Sequence, residues 1–206
     1  MRGTRRKVWR DFPRKKYARP PGNGSVILTV RQHPLAIVTH VTSPIFIALG
    51  ANLPSDHGAP AETLEAALAA LRAAGVMIEA CSACYSTAPV PRSDQPDYVN
   101  GVARVYTQIG PPALLALLHR IEDGFGRVRE RRNEARVIDL DLIDYGGVVT
   151  GLDGDALVLP HPRAHLRGFV LLPLRDVAPD WRHPVTGRSI DALIGDLPDL
   201  NDVRRL

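Results

Sequence analysis

The chain has 206 residues, 45% hydrophobic and 23% charged, with two cysteines and a formal net charge of +4. That length predicts one domain with its own core, and no apolar run reaches the roughly 18 residues of a membrane helix. Residues 1–44 hold ten basic residues and one acid, Asp11, against 16 basic and 21 acidic residues in 45–206, so the body is mildly acidic and no obvious nucleic-acid binder.

Residues 1–44 read as a basic extension, and all three lysines (Lys7, Lys15, Lys16) lie within it. A Walker-type phosphate loop, which needs a lysine, is therefore excluded from the body. The arginine-rich, acid-poor extension suits a targeting peptide, or a disordered arm for nucleic acid or a membrane surface. Ahead of both stands a mis-assigned start upstream, since the apparent body begins only at Ile45.

From Ile45 the elements follow in order. Ile45 to Leu49 is a buried strand ending at Gly50. Pro60 to Ala74 is a helix with Leu64, Ala67, Leu68 and Leu71 on one face and Gly75 as its stop. Residues 77–86 form a second strand, and Pro89, Pro91 and Pro96 break the following loop. Tyr98 to Thr107 is a third strand. Pro111 to Phe125 is a second helix with Leu114, Leu115, Leu118 and Ile121 inward. Residues 137–144 are a fourth strand. This order, β-α-β-β-α-β, is that of an α+β, ferredoxin-like sandwich with both helices on one face of the sheet. C-terminal additions follow: a hairpin, a short helix near Phe169–Val177 and a proline-punctuated tail.

Cys81 and Cys84 lack the second ligand pair of a zinc site and fall in a strand, not at a helix start, so they read as buried free thiols of a reducing compartment. A cytoplasmic location follows.

The chemistry concentrates between Arg127 and Asp141. Arg127, Arg129, Arg131, Arg132 and Arg136 lead into Asp139 and Asp141 on the apolar fourth strand. Strand residues two apart share a face, so the two carboxylates stand roughly 7 Å apart and repel unless a positive charge lies between them. Mg²⁺ suits such a pair, since it is held by one or two carboxylates plus phosphate oxygens, and neighbouring guanidinium groups suit a polyphosphate. The competing reading is a polar strand face whose arginines make salt bridges. As a whole, the chain competes with two other classes: a nucleic-acid-binding sheet displaying Tyr98 and Tyr106, and a catalytically dead scaffold.

Five segments in order narrow the choice: Ala48 to Leu53, Tyr85 to Pro89, Asp94 to Asn100, Arg127 to Asp141, and Pro160 to Arg163 with Arg167 to Phe169. From Ile45 to about Trp181 the chain resembles the 6-hydroxymethyl-7,8-dihydropterin pyrophosphokinase family of folate biosynthesis, and residues 45–206 are expected to form that domain. The resemblance implies transfer of pyrophosphate from ATP to a reduced pterin, releasing AMP, with ATP as co-substrate and two Mg²⁺ ions on Asp139 and Asp141. It implies that Arg127 and Arg136 assist the reaction and that Glu122, Arg129, Leu142, His161 and Arg167 hold the nucleotide. For the pterin it implies Thr87, Ala88 and Val90 along the backbone, Tyr98 and Phe169 on the ring faces and Asn100 at the edge. The expected partners are small molecules only, with no nucleic acid or membrane, and the expected state is a monomer. The chain departs from the family at Ala51, often serine; at His119, often glutamine; at Pro162, often aromatic; and in a shorter Arg127–Arg136 loop lacking an aromatic residue.

Overall fold

A computed structural model describes residues 43–89, 92–126, 136–151, 157–198, 200 and 202–206. Most of the basic extension, together with Val90, Arg127 and Arg129, lies outside the described residues. The elements are β1 (Ile45–Ala51), α1 (Pro60–Ala73), β2 (Met77–Cys81), β3 (Tyr85–Thr87), β4 (Tyr98–Tyr106), α2 (Pro111–Gly124), β5 (Asp139–Tyr145), α3 (Gly168–Val177), α4 (Ile190–Gly195) and β6 (Val203–Arg205).

The strands form one sheet in the order β5-β1-β4-β3-β6, with β2 also pairing β4, and every pairing is antiparallel. Taking β2 and β3 as the two halves of one strand, the spatial order is fourth, first, third, second. That is the ferredoxin-like arrangement the element order predicts.

Alternation along β1 divides the core. Ile45, Ile47 and Leu49 face α1 and α2, whose buried residues include Leu64, Leu68, Leu71, Leu114 and Leu118. In α2, Leu117 is buried where Leu115 is expected and Leu115 is half-buried, because the apolar stripe lies one residue further round the helix. Pro60 opens α1, Glu62 accepts from the Ala59 N–H at 2.8 Å, and Gly75, at φ 86°, ends the turn after it. Phe46 and Val102 face the other way, into a second core built with Val170, Leu171, Leu174, Trp181, Ile190 and Leu193. The C-terminal additions thus form a second layer.

Three expectations are corrected. The strand over 77–86 is broken: Ser82 donates its N–H to Val102 O and accepts the Val102 N–H on its hydroxyl, at 2.9 and 3.0 Å. Cys81 pairs with Ala103 but Tyr85 with Asn100, so three residues of this strand oppose two of β4. The extra residue reverses the facing and turns Tyr85 and Thr87 onto the side of Asn100 and Tyr98. The expected hairpin is a single bridge, Thr150 to Leu159, among the described residues. The tail, finally, folds into α4, capped by Ser189 Oγ accepting from Ala192 N, and into β6.

Candidate active site

On the second face of the sheet, Asp139 and Asp141 of β5 lie beside Gly50 and Ala48 of β1. These two small residues form a low floor, so nothing longer than a methyl stands between the carboxylates and β4. Gly50 in turn pairs with Asn100 of β4. The acid pair and the Asn100 amide therefore share one trough, two strand spacings or roughly 10 Å apart.

Basic side chains surround the acids. Arg136 Nη1 donates to Asp139 Oδ2 at 2.6 Å. Arg167 Nη1 and His161 Nε2 stand 3.8 and 3.9 Å from Asp141 Oδ2, within Coulomb range but beyond a hydrogen bond. Burial, then the charge of Asp139, pushes the Asp141 carboxyl above its ordinary range, while His161, Arg167 and Arg136 oppose the rise. Burial likewise lowers the His161 imidazole; Asp141 opposes this, and Arg167 and Arg163 add to it. His161 is thus neutral near pH 7. Its Nδ1 accepts the Arg163 N–H at 3.1 Å, so the ring proton sits on Nε2, toward Asp141. Its backbone N–H bonds Ile143 O at 2.8 Å, which fixes the ring beside β5.

The far end of the trough is neutral. Asn100 Nδ2 donates to Thr87 Oγ1 at 2.8 Å, and both residues are buried. Ala88 and Tyr98 are half-buried beside them. Burial, first, raises the Tyr98 phenol; Arg136 lowers it and Asp139 raises it, which puts this ring within reach of the charged end. Phe169, at the start of α3, is half-buried against the second core, and the Arg167 guanidinium carbon lies 5.5 Å from its ring centre.

Two expected nucleotide ligands do not join this face. Glu122 is 0% exposed beneath β5, where its Oε1 accepts the Leu140 N–H at 2.7 Å. It holds the edge strand from below. Leu142 is buried on that same lower side, paired with Ile47. Alternation accounts for both, since Leu140 and Leu142 point away from Asp139 and Asp141.

Asn52 has no role in the expected site, yet it is buried between two of its segments. Its sequence signals are an amide directly after a buried strand and a place in the first of the five segments, Ala48 to Leu53. A separate cavity of about 360 Å³, lined in part by Phe46, Arg104, Asp144 and Trp181, lies toward the other end of the same face. Its buried acid, Asp144, is satisfied by Trp181 Nε1 at 2.8 Å and Gly147 N at 2.9 Å.

The sequence model of the 7,8-dihydro-6-hydroxymethylpterin-pyrophosphokinase family matches residues 46–179. The chain belongs to this family. It is 41% identical over 150 residues to a 2-amino-4-hydroxy-6-hydroxymethyldihydropteridine pyrophosphokinase of Synechocystis sp., covering 72% of this chain and 73% of that one. To the protein of the same name from Pseudomonas aeruginosa it is 40% identical over 155 residues, 75% of this chain and 91% of that one. In fold it is similar to the Plasmodium falciparum HPPK-DHPS triple mutant, with a TM-score of 0.61 at 15% identity, across 82% of this chain and 48% of that one. The chain thus spans about half the length of that structure. All of β1 to β5 except Ile45, with Asp139, Asp141, His161, Arg167 and Phe169, falls inside the stretch matched by the pterin pyrophosphokinase family. Asn52, Gln95 and Arg136 fall inside it too.

Proposed function

We propose that the chain transfers the pyrophosphoryl group of ATP to the hydroxymethyl oxygen of 6-hydroxymethyl-7,8-dihydropterin, releasing AMP, as a step of folate biosynthesis. Membership of the pterin pyrophosphokinase family supports this. The observation that carries it is one trough with two different ends, an acid pair ringed by Arg136, His161 and Arg167 and a buried amide–hydroxyl pair, Asn100 and Thr87.

The charged end suits a nucleotide polyphosphate. Arg136 and Arg167 bind phosphate oxygens, and neutral His161 offers an Nε2–H without adding charge. Arg127 and Arg129 add two further cations from the stretch of sequence before Arg136. Such a transfer is largely positioning and electrostatics, with charge building on the oxygens either side of the moving group. The donor set fits Mg²⁺: two same-face carboxylates, with, among the described residues, no arginine closer to Asp141 than 3.8 Å. Asp139 and Asp141 would hold two such ions, which neutralise phosphate charge and orient both substrates. Glu122 acts through the backbone of β5, keeping the two acids in register.

The neutral end suits a flat, amide-rich ring. Asn100 reads its edge, the backbone of Thr87 to Val90 supplies further donors and acceptors, and Tyr98 and Phe169 offer faces for stacking. We place the enzyme in the cytoplasm as a monomer. Among the described residues no helix is long and apolar enough to cross a membrane.

Incubation with ATP, Mg²⁺ and hydroxymethyl-dihydropterin tests the reading. AMP and the pterin diphosphate should form in equal amounts. ADP as the nucleotide product, or no turnover of this pterin, refutes it.

A further inference from the structure

Asn52 follows the last residue of β1 and is 1% exposed. A buried primary amide must find partners for one acceptor and two donors. Asn52 finds them on two separate segments. Its Oδ1 accepts the Arg136 N–H at 2.7 Å, and its Nδ2 donates to Gln95 Oε1 and Pro96 O, both at 3.2 Å. The chemistry of the partners fixes which end is which: a backbone N–H only donates and a proline carbonyl only accepts.

Each contact is reinforced on its own side. The backbone N–H groups of Asn52 and Leu53 both donate to Arg136 O, at 3.0 and 3.2 Å. Arg136 is therefore held at its N–H and its C=O, and from that fixed backbone its guanidinium reaches Asp139. On the other side, Gln95 Oε1 also accepts the Tyr98 hydroxyl at 3.4 Å. One buried carboxamide thus stands between the backbone of a phosphate arginine and the segment leading into the pterin strand.

We propose that Asn52 is a positioning residue for both substrates, through opposite ends of its amide: the oxygen sets the nucleotide side through Arg136, and the NH₂ group sets the pterin side through Gln95 and Pro96. This rests on the assignment of the charged end to ATP and the neutral end to the pterin.

Asn52→Asp separates the two ends. It keeps an oxygen against the Arg136 N–H but turns a second oxygen toward two acceptors, Gln95 Oε1 and Pro96 O. Asn52→Ala removes both ends. With Asn52→Asp the KM for the pterin should rise at least about tenfold while the KM for ATP stays within about threefold, and Asn52→Ala should raise both. Gln95→Ala leaves β1 untouched and should raise the pterin KM alone, so the test survives if the Asn52 variants fold poorly. Direct titration of each substrate, with a non-hydrolysable ATP analogue, should show the same split in Kd. Equal effects of Asn52→Asp on both substrates, or none on either, with Gln95→Ala silent, would overturn the proposal. AMP formation by the wild-type enzyme is read separately, so a failure of the reaction assignment is distinct from a failure of this role.

Discussion

Gly50 and Asn100 stand opposite each other on β1 and β4, so close that a Cβ on Gly50 would lie 3.1 Å from Asn100 Oδ1. Space, not backbone freedom, requires glycine here. A methyl group would push against the amide whose other end donates to Thr87. Gly50→Ala is expected to leave the fold and the KM for ATP near wild type and to raise the KM for the pterin roughly tenfold. A wild-type pterin KM in this variant would show that Asn100 does not read the substrate edge.

Asp141 sits beside a like charge, with the Arg167 guanidinium and the His161 ring both stopping short of it. Asp141→Asn should reduce kcat by at least about 10³-fold at ordinary Mg²⁺, the loss expected when a metal-holding carboxylate is removed from a phosphoryl-type transfer. Stability should respond the other way. Because the folded protein holds this carboxyl's pKa above its ordinary value, the ionised form opposes folding above the unfolded pKa, and this is relieved as pH falls through the raised one. In chelator at pH 7 the variant should therefore melt at or above the wild-type Tm. Added Mg²⁺ should raise the Tm of the wild type but much less that of the variant. Calorimetry with and without the cation checks both statements.

Much of this was legible in the residues, and the rest was hidden for identifiable reasons. The i, i+2 aspartates on an apolar strand determine their own facing, so the acid pair follows from period two alone. The helices announce themselves through Leu64–Leu71 and Leu114–Ile121 and through Pro and Gly at their ends. The break at Ser82 is invisible, because a hydroxyl replacing a ladder acceptor has no signature in sequence. Yet that break is what aims Thr87 at Asn100. For Glu122 the resemblance implies a nucleotide contact, and nothing in the sequence shows that its carboxylate is buried on the backbone N–H of Leu140. The bridging role of Asn52 leaves no local mark, because its partners are 43 and 84 residues away.

His183 is buried between Trp181 and His165, at ring distances of 5.8 and 5.2 Å, with Nδ1 accepting from the Val185 and Thr186 N–H groups. Burial and then His165 lower its pKa, and Asp144 opposes the shift. Below the ordinary value of 6.5 the unfolded chain therefore binds the proton more readily, and stability falls as pH drops through that value toward the lower folded pKa. His183→Asn keeps an acceptor near Nδ1 but cannot titrate. Its Tm should fall less steeply than the wild type's between pH 6.5 and about pH 5. Parallel slopes would place the acid sensitivity elsewhere.

Burial pushes the Cys81 thiol up to about 11, with Arg72 opposing. Little thiolate exists near neutrality, so alkylation of Cys81 at about pH 8 should run roughly 100-fold slower in the folded protein than in urea. Peptide mapping by mass spectrometry after timed labelling gives the ratio. Rapid native labelling at this site would contradict the structure.

The neutral end of the trough is braced by residues far along the chain from the acid pair. β6 pairs Val203 with Thr87 and Arg205 with Tyr85, the Leu206 N–H bonds Cys84 O, and a Cβ on Gly168 would meet Leu200 and Val203. A ribosome that has already made every charged group of the site has still to make this brace. A chain halted before Val203 would carry Asp139, Asp141 and their arginines complete, with Thr87 left on a bare sheet edge and the start of α3 unsupported. The wall formed by Thr87 therefore depends on residues far beyond the acid pair in sequence, and so does Arg167, which opens α3.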